Sequence, residues 1–264
     1  MPTWSAWPKP FATSGARMPD VVGWRKKFGV IVPSTNTVVE HDFNRMAPPG
    51  VTCHAGRMYI EHPALDSDAA FEAILGEIRA SIKTAIRDVM TCEPDYLVMG
   101  MSAETFWGGV DGNAAFIERV RAQSGLPVST GASACRAALE TLGVRRIAAF
   151  SPYQPVADRQ VKRFFEEAGF EVVRVTGLRC KSATAIADVR EDELTTVLRD
   201  LDGPDVDAIV QAGTNLSMVR LGDEAERWLG KPVIAINAAT FWHALRACGI
   251  PDRFAGYGSL LREH

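Results

Sequence analysis

No apolar run in the 264 residues is long enough to span a bilayer, and no apolar core of a secretory signal follows the first residues. Neither a membrane span nor export is expected. There is no large excess of one charge: the net charge is -3, which implies no general attraction to nucleic acid or to an anionic membrane. The five cysteines, Cys53, Cys92, Cys135, Cys180 and Cys248, are scattered, odd in number and never spaced as CxxC. That argues against a zinc knuckle or a disulfide framework and for free thiols in a reducing, cytoplasmic setting. His41, His54 and His62 lack metal-ligand spacing, so no metal is expected. GxGxxG and P-loop motifs are missing as well, and no cofactor is expected.

Hydrophobic residues make up 47% and charged residues 23%, an ordinary balance for a globular chain able to bury one large or two smaller cores. Residues 1–27 are rich in aromatics and proline without periodicity. They read as an N-terminal extension, either poorly ordered or an arm whose Trp4, Trp7 and Trp24 dock on a neighbouring subunit. Beyond it, short apolar runs alternate with amphipathic stretches. The run 28–32 is a buried strand, and 68–90 carries Phe71, Ile74, Leu75, Ile78, Ile82, Ile86 and Val89 at helical spacing. Strands are expected near 51–60, 95–99 and 128. Helices are expected over 113–123 and 133–142, the second stopped by Gly143.

The second half repeats this order, with strands at 146–150, 171–175, 207–211 and 231–236. Helices are predicted over 158–168, 191–200, 224–229 and 239–247. Val32-Pro33-Ser34 answers Ser151-Pro152-Tyr153, and Gly100-Met101-Ser102 answers Gly213-Thr214-Asn215. Gly125-Leu126-Pro127-Val128 answers Gly230-Lys231-Pro232-Val233. The fold expected is α/β, with two pseudo-symmetric Rossmann-like domains, each built on a mostly parallel four-stranded sheet. The first comprises 28–130 plus 238–264, the second 131–237. In such sheets ligands lie beyond the carboxyl ends of the strands, so the pocket is expected between the halves.

At these residues the sequence resembles the aspartate/glutamate racemase superfamily, in its branch of maleate cis-trans isomerases and arylmalonate decarboxylases. The resemblance covers about residues 28–250. Val32-Pro33-Ser34-Thr35-Asn36-Thr37-Val38-Val39-Glu40 resembles the start of a maleate isomerase, where the Asn holds a substrate carboxylate. Val98-Met99-Gly100-Met101-Ser102 with Phe106, and 142–148, are more similar to the decarboxylase. Tyr153 falls where this branch has a Tyr that hydrogen-bonds a carboxylate. The resemblance implies cofactor-free chemistry on a small carboxylate, a homo-oligomer, and catalysis by Cys. The matching positions here are Gly100 and Gly213, with Met101, Ser102, Ala212 and Thr214 as neighbours in the alignment, and none is Cys.

What remains is a cradle for an anion. Ser34, Thr35, Asn36 and Thr37 offer hydroxyl and amide groups at one strand end. Ser102, Tyr153, Thr214 and Asn215 offer the rest, Gly100 and Gly213 give the backbone close access to an anion, and Met101 is a further candidate for substrate contact. Tyr153, Ser102, Thr214 and Glu104 are the candidates for the chemistry that a thiol would otherwise perform. Glu104 is a candidate acid or base if desolvated beside Phe106 and Trp107, and otherwise a helix-start residue. Asn237 either reaches the pocket or caps the last helix, and His243 reads as a helix-face residue. The expected function is a cofactor-independent lyase or isomerase, decarboxylase-like, working on a small mono- or dicarboxylate through an enolate-like intermediate. Two alternatives stay open: a hydrolase or hydratase in which Glu104 activates water, and a catalytically silent carboxylate-binding protein.

Overall fold

A computed structural model describes residues 20–264. Trp4 and Trp7 of the expected extension lie outside the described residues. Its last residues belong to the body: Arg25 pairs with Asp252 at 2.6 Å, and Trp24 packs over Gly50.

The first sheet takes β1 (Lys26–Pro33), β2 (Val51–Met58), β3 (Tyr96–Met99) and β4 (Val128–Ser129) in the order β2-β1-β3-β4. The second takes β5 (Arg146–Ser151), β6 (Glu171–Gly177), β7 (Ala208–Gln211) and β8 (Val233–Ala235) in the order β6-β5-β7-β8. Every pairing is parallel. The central strands are largely apolar, as strands buried on both faces of a parallel sheet are, and β3 and β7 are buried at every position.

The helices are α1 (Val39–Met46), α2 (Asp68–Val89), α3 (Ala103–Phe106), α4 (Gly109–Ser124) and α5 (Gly131–Thr141), then α6 (Pro155–Glu167), α7 (Glu191–Leu201), α8 (Val219–Leu229), α9 (Ile236–Ala247) and α10 (Ser259–Glu263). The α2 helix starts where its stripe predicts, with Ser67 accepting the Ala70 N–H at 3.1 Å as N-cap. The α4 helix starts earlier than its sequence suggests, at a Gly pair in the left-handed region. Its first N–H groups are taken by α6 from the other half: Gly108 donates to Gln160 at 3.0 Å and Val110 to Glu167 at 2.8 Å. Phe106 of α3 packs on Phe164 and Phe165 of α6, with ring centroids at 5.3 and 5.6 Å, and so joins the two halves. The closing helix α9 lies on β3 and β4 of the first sheet and on α5. Among the described residues no helix is long and apolar enough to cross a membrane.

Candidate active site

The carboxyl ends of the two sheets face each other across a cavity of about 70 Å³. From the first half it is lined by Thr35 and Asn36 after β1, Ile60 and Leu65 after β2, and Met101, Ser102 and Ala103 after β3. The second half contributes Tyr153 after β5, Ala183 and Ile186 after β6, and Thr214 and Asn215 after β7. One wall is the α2 stripe Phe71, Ile74, Leu75 and Ile78. No charged side chain and no thiol is among these lining residues.

Two cross-half pairs define the polar end. Ser102 and Tyr153 join hydroxyl to hydroxyl in a short contact. Two hydroxyls that share one hydrogen bond leave one O–H free to donate elsewhere. Burial pushes the Tyr153 phenol up to about 12, against the opposing pull of its bonds to Ser102 and the Ala103 backbone, so it stays protonated and able to donate. Across the cavity, Asn36 Nδ2 donates to Thr214 Oγ1 at 3.3 Å, which leaves the Thr214 proton for a ligand. Asn36 is held in place by its own Oδ1, which accepts the Val38 and Val39 N–H groups at 3.0 and 2.9 Å and opens α1. Tyr153 is held against Phe71, edge to face at 5.2 Å.

Hydrogen-bond register corrects the residue matching between the halves. Gly100 N–H donates to Ile31 C=O of β1, and Ala212 N–H donates to Phe150 C=O of β5, each at 2.8 Å. The equivalent residues are therefore Gly100 and Ala212, not Gly100 and Gly213. Met101 then answers Gly213, and Ser102 answers Thr214. Gly100 and Gly213 are also not the anion contacts expected of them. The Gly100 N–H is spent in the sheet, and a Cβ there would meet Val39 Cγ1 at 2.9 Å. A Cβ at Gly213 would strike the Pro152 ring, and neither glycine lines the cavity.

The other predicted residues divide between lining and support. Thr35, Asn36, Met101, Ser102, Tyr153, Thr214 and Asn215 come together at the cavity. Ser34 and Thr37 lie behind it: Ser34 Oγ accepts the Ile60 N–H at 3.0 Å, and the Thr37 N–H donates to Asn215 Oδ1 at 3.0 Å. Asn215 Nδ2 donates onward to Ala183 C=O at 2.9 Å, so its amide ties both loops together. Asn237 does not line the cavity. Its Nδ2 donates to Thr214 C=O at 3.0 Å and to Asp42 Oδ2 at 2.8 Å. Glu104 points out of the cavity, into the groove between α2 and α4. Its carboxylate accepts Arg79 Nε at 3.0 Å on both oxygens and lies 3.6 Å from Arg119. One turn of α3 puts Ser102 and Glu104 on opposite sides, so Glu104 does not line the cavity. His243 bonds Ser129 at 2.7 Å, away from the cavity lining.

None of the five thiols lines the cavity. Burial pushes Cys180 and Cys248 up to about 11 and Cys53 up to about 12, and raises Cys135 as well. These four stay protonated at neutral pH, without the thiolate that nucleophilic chemistry requires. What the sequence did not reveal is the apolar wall. Phe71, Ile74, Leu75 and Ile78 have the same spacing as any core-facing stripe, and periodicity cannot separate packing against a sheet from lining a cavity.

Two parallel-sheet halves with a pocket of hydroxyl and amide side chains between them define a two-lobed α/β protein whose site lies at the carboxyl ends of its strands. The chain belongs to the arylmalonate decarboxylase family, whose sequence pattern matches residues 28–261. It is 30% identical over 243 residues to an arylmalonate decarboxylase of Bordetella bronchiseptica, covering 89% of this chain and 96% of that one. It is 26% identical over 250 residues to a maleate isomerase of Pseudomonas putida, with 89% and 96% covered. Among solved structures it resembles a maleate cis-trans isomerase of Nocardia farcinica, a cysteine-to-serine variant with a covalently bound succinylcysteine intermediate. The TM-score is 0.82 at 23% identity, over 90% of this chain and 99% of that one.

Proposed function

We propose that this enzyme removes carbon dioxide from a small diacid of malonate type that carries an apolar substituent. The observation that carries this reading is the division of the cavity: free hydroxyl donors at one end, the α2 wall at the other, and no charged group or thiol between them. One carboxylate accepts from the Ser102/Tyr153 pair and from Thr214. The other, pressed on Leu65, Ile74 and Leu75, is poorly solvated and leaves as neutral carbon dioxide. The C–C bond breaks, and its electron pair passes to the α-carbon and into the retained carboxylate. Oriented O–H dipoles stabilise that enolate-like charge in a site of low dielectric. A proton from the Tyr153/Ser102 pair, resupplied by water, completes the product at the α-carbon.

Covalent isomerisation of maleate is disfavoured, because no lining side chain is a thiol. Water activation by Glu104 is disfavoured by its pairing with Arg79 outside the cavity. The test is proton NMR in D2O with aryl- and alkylmalonates and with maleate. The expected result is loss of carbon dioxide and one solvent deuteron at the α-carbon, with Tyr153→Phe lowering kcat by about 100-fold. Tight binding of these acids without turnover of any would refute the catalytic reading.

A further inference from the structure

We infer that Asp158, which does not line the cavity, is a positioning residue that fixes Tyr153 by gripping the main chain on both sides of it. The inference rests on the role given to Tyr153 above. Asp158 lies in the first turn of α6 and is buried. Its Oδ1 accepts from Ser151 Oγ at 2.6 Å, and the same Oγ accepts the Tyr153 N–H at 3.0 Å. Its Oδ2 accepts from Arg179 Nη1, which also donates to the Tyr153 C=O. One carboxylate thus restrains both peptide groups that set the direction of the Tyr153 side chain, one through a hydroxyl and one through a guanidinium.

Three further features belong to this clamp. Arg179 is a non-glycine residue at φ +58, a conformation that persists only where surrounding bonds impose it. The segment behind it is tied to the Tyr153 loop, with the Leu178 N–H on Ser151 C=O at 2.8 Å and the Cys180 N–H on Pro152 C=O at 3.0 Å. Gly177 leaves the space that the pair fills, since a Cβ there would collide with both Arg179 Nη1 and Asp158 Oδ2. The first half has a different arrangement. Ser34, the counterpart of Tyr153, donates its N–H to Met58 C=O and accepts the Ile60 N–H on its hydroxyl oxygen, so the clamp belongs to the half that supplies the phenol.

The mechanical consequence is that loosening the clamp should act on turnover through Tyr153 alone. Displacement of a reacting group by about an ångström costs up to about 100-fold in rate. The experiment is a double-mutant cycle. Asp158→Asn keeps an acceptor for Ser151 and removes the charge that holds Arg179. Arg179→Gly removes the guanidinium and relieves the left-handed backbone, so it does not depend on the fold tolerating a damaged Asp158. Each is made alone and in a Tyr153→Phe background. We expect kcat to fall about 10-fold or more with KM changed less than about threefold, and the loss to vanish when Tyr153 is already Phe.

Losses that multiply with that of Tyr153→Phe, or clamp variants with unchanged kcat, would overturn the inference and leave the role of Tyr153 standing. A Tyr153→Phe variant with unchanged kcat would overturn both. The same cycle read as the Kd for phenylacetate by titration calorimetry needs no turnover. Weakening by Asp158→Asn that disappears in the Tyr153→Phe background supports the clamp, and additive weakening refutes it.

Discussion

Asp42 sits where its charge costs stability, and replacing it with Asn should make the protein more stable at neutral pH. The carboxyl lies on α1, 7% exposed, with Asn237 Nδ2 on its Oδ2 at 2.8 Å. Burial pushes its pKa from 3.8 up to about 6; the Asn237 bond and the charges of His41 and Arg45 on its own helix pull the other way and lose. The unfolded chain releases this proton near 3.8 and the folded chain near 6, so the folded state binds more protons in between. Stability is therefore highest below that window, falls as pH rises through it, and carries the full penalty above about 6. The gap corresponds to about 3 kcal/mol at pH 7. Asp42→Asn keeps an oxygen to accept from Asn237 and removes the titration. Urea unfolding of both proteins from pH 4 to pH 8 should show the variant gaining about 2–3 kcal/mol at the upper end and nothing at the lower, at constant m. A variant destabilised equally at every pH would refute this, because it would mean that Asp42 is favourably ionised throughout. Asn237 also holds the Thr214 carbonyl, so kcat measured on the same samples reports whether that charge is kept for the site at the expense of the fold.

Glu104→Gln should leave kcat within about threefold, since the residue does not line the cavity, while lowering stability by about 1–3 kcal/mol through its broken pairing with Arg79 and Arg119. A large kcat loss at unchanged stability would restore Glu104 as an acid or base. Gly213→Ala should place a methyl against the Pro152 ring, displace the adjacent Tyr153, and lower both the urea midpoint and kcat, at a cost of about 1–3 kcal/mol. Unchanged kcat in that variant would mean that the Pro152 loop yields without moving the phenol.

The strand ends and their order were legible because a buried parallel strand is a short apolar run that stops abruptly, as 28–32 and 95–99 do. The gathering of hydroxyl and amide side chains at one cavity was legible because Ser, Thr, Asn and Tyr at such ends point beyond the sheet. Beside the apolar wall, three further things were not legible, each for a physical reason. The start of α4 depends on Gln160 and Glu167, which approach from another helix. The direction of Glu104 depends on α3, a single turn whose burial decides which side chain faces inward. The clamp on Tyr153 joins Ser151, Asp158 and Arg179, whose spacing carries no motif and whose meeting is a product of the β5–β6 pairing.

The register of the two halves changes what the symmetry of the site means. With Gly100 matched to Ala212, the hydroxyls of Ser102 and Thr214 become true counterparts, one at each strand end. Each is met by a residue from the loop after the first strand of the opposite half, Tyr153 on Ser102 and Asn36 on Thr214. The frame is symmetric and its fittings are not. Met101 fills space on one side where Gly213 has no side chain, and a phenol stands opposite an amide. In the proposed decarboxylation, a planar enolate-like intermediate would meet a phenol and a hydroxyl on one side of the polar end and a threonine hydroxyl bound by an amide on the other. Delivery of the proton from one end only would make the product at the α-carbon a single enantiomer, and a prochiral malonate examined by chiral chromatography would reveal it. A racemic product would mean that the proton comes from mobile water and that the asymmetry of the pocket serves binding alone.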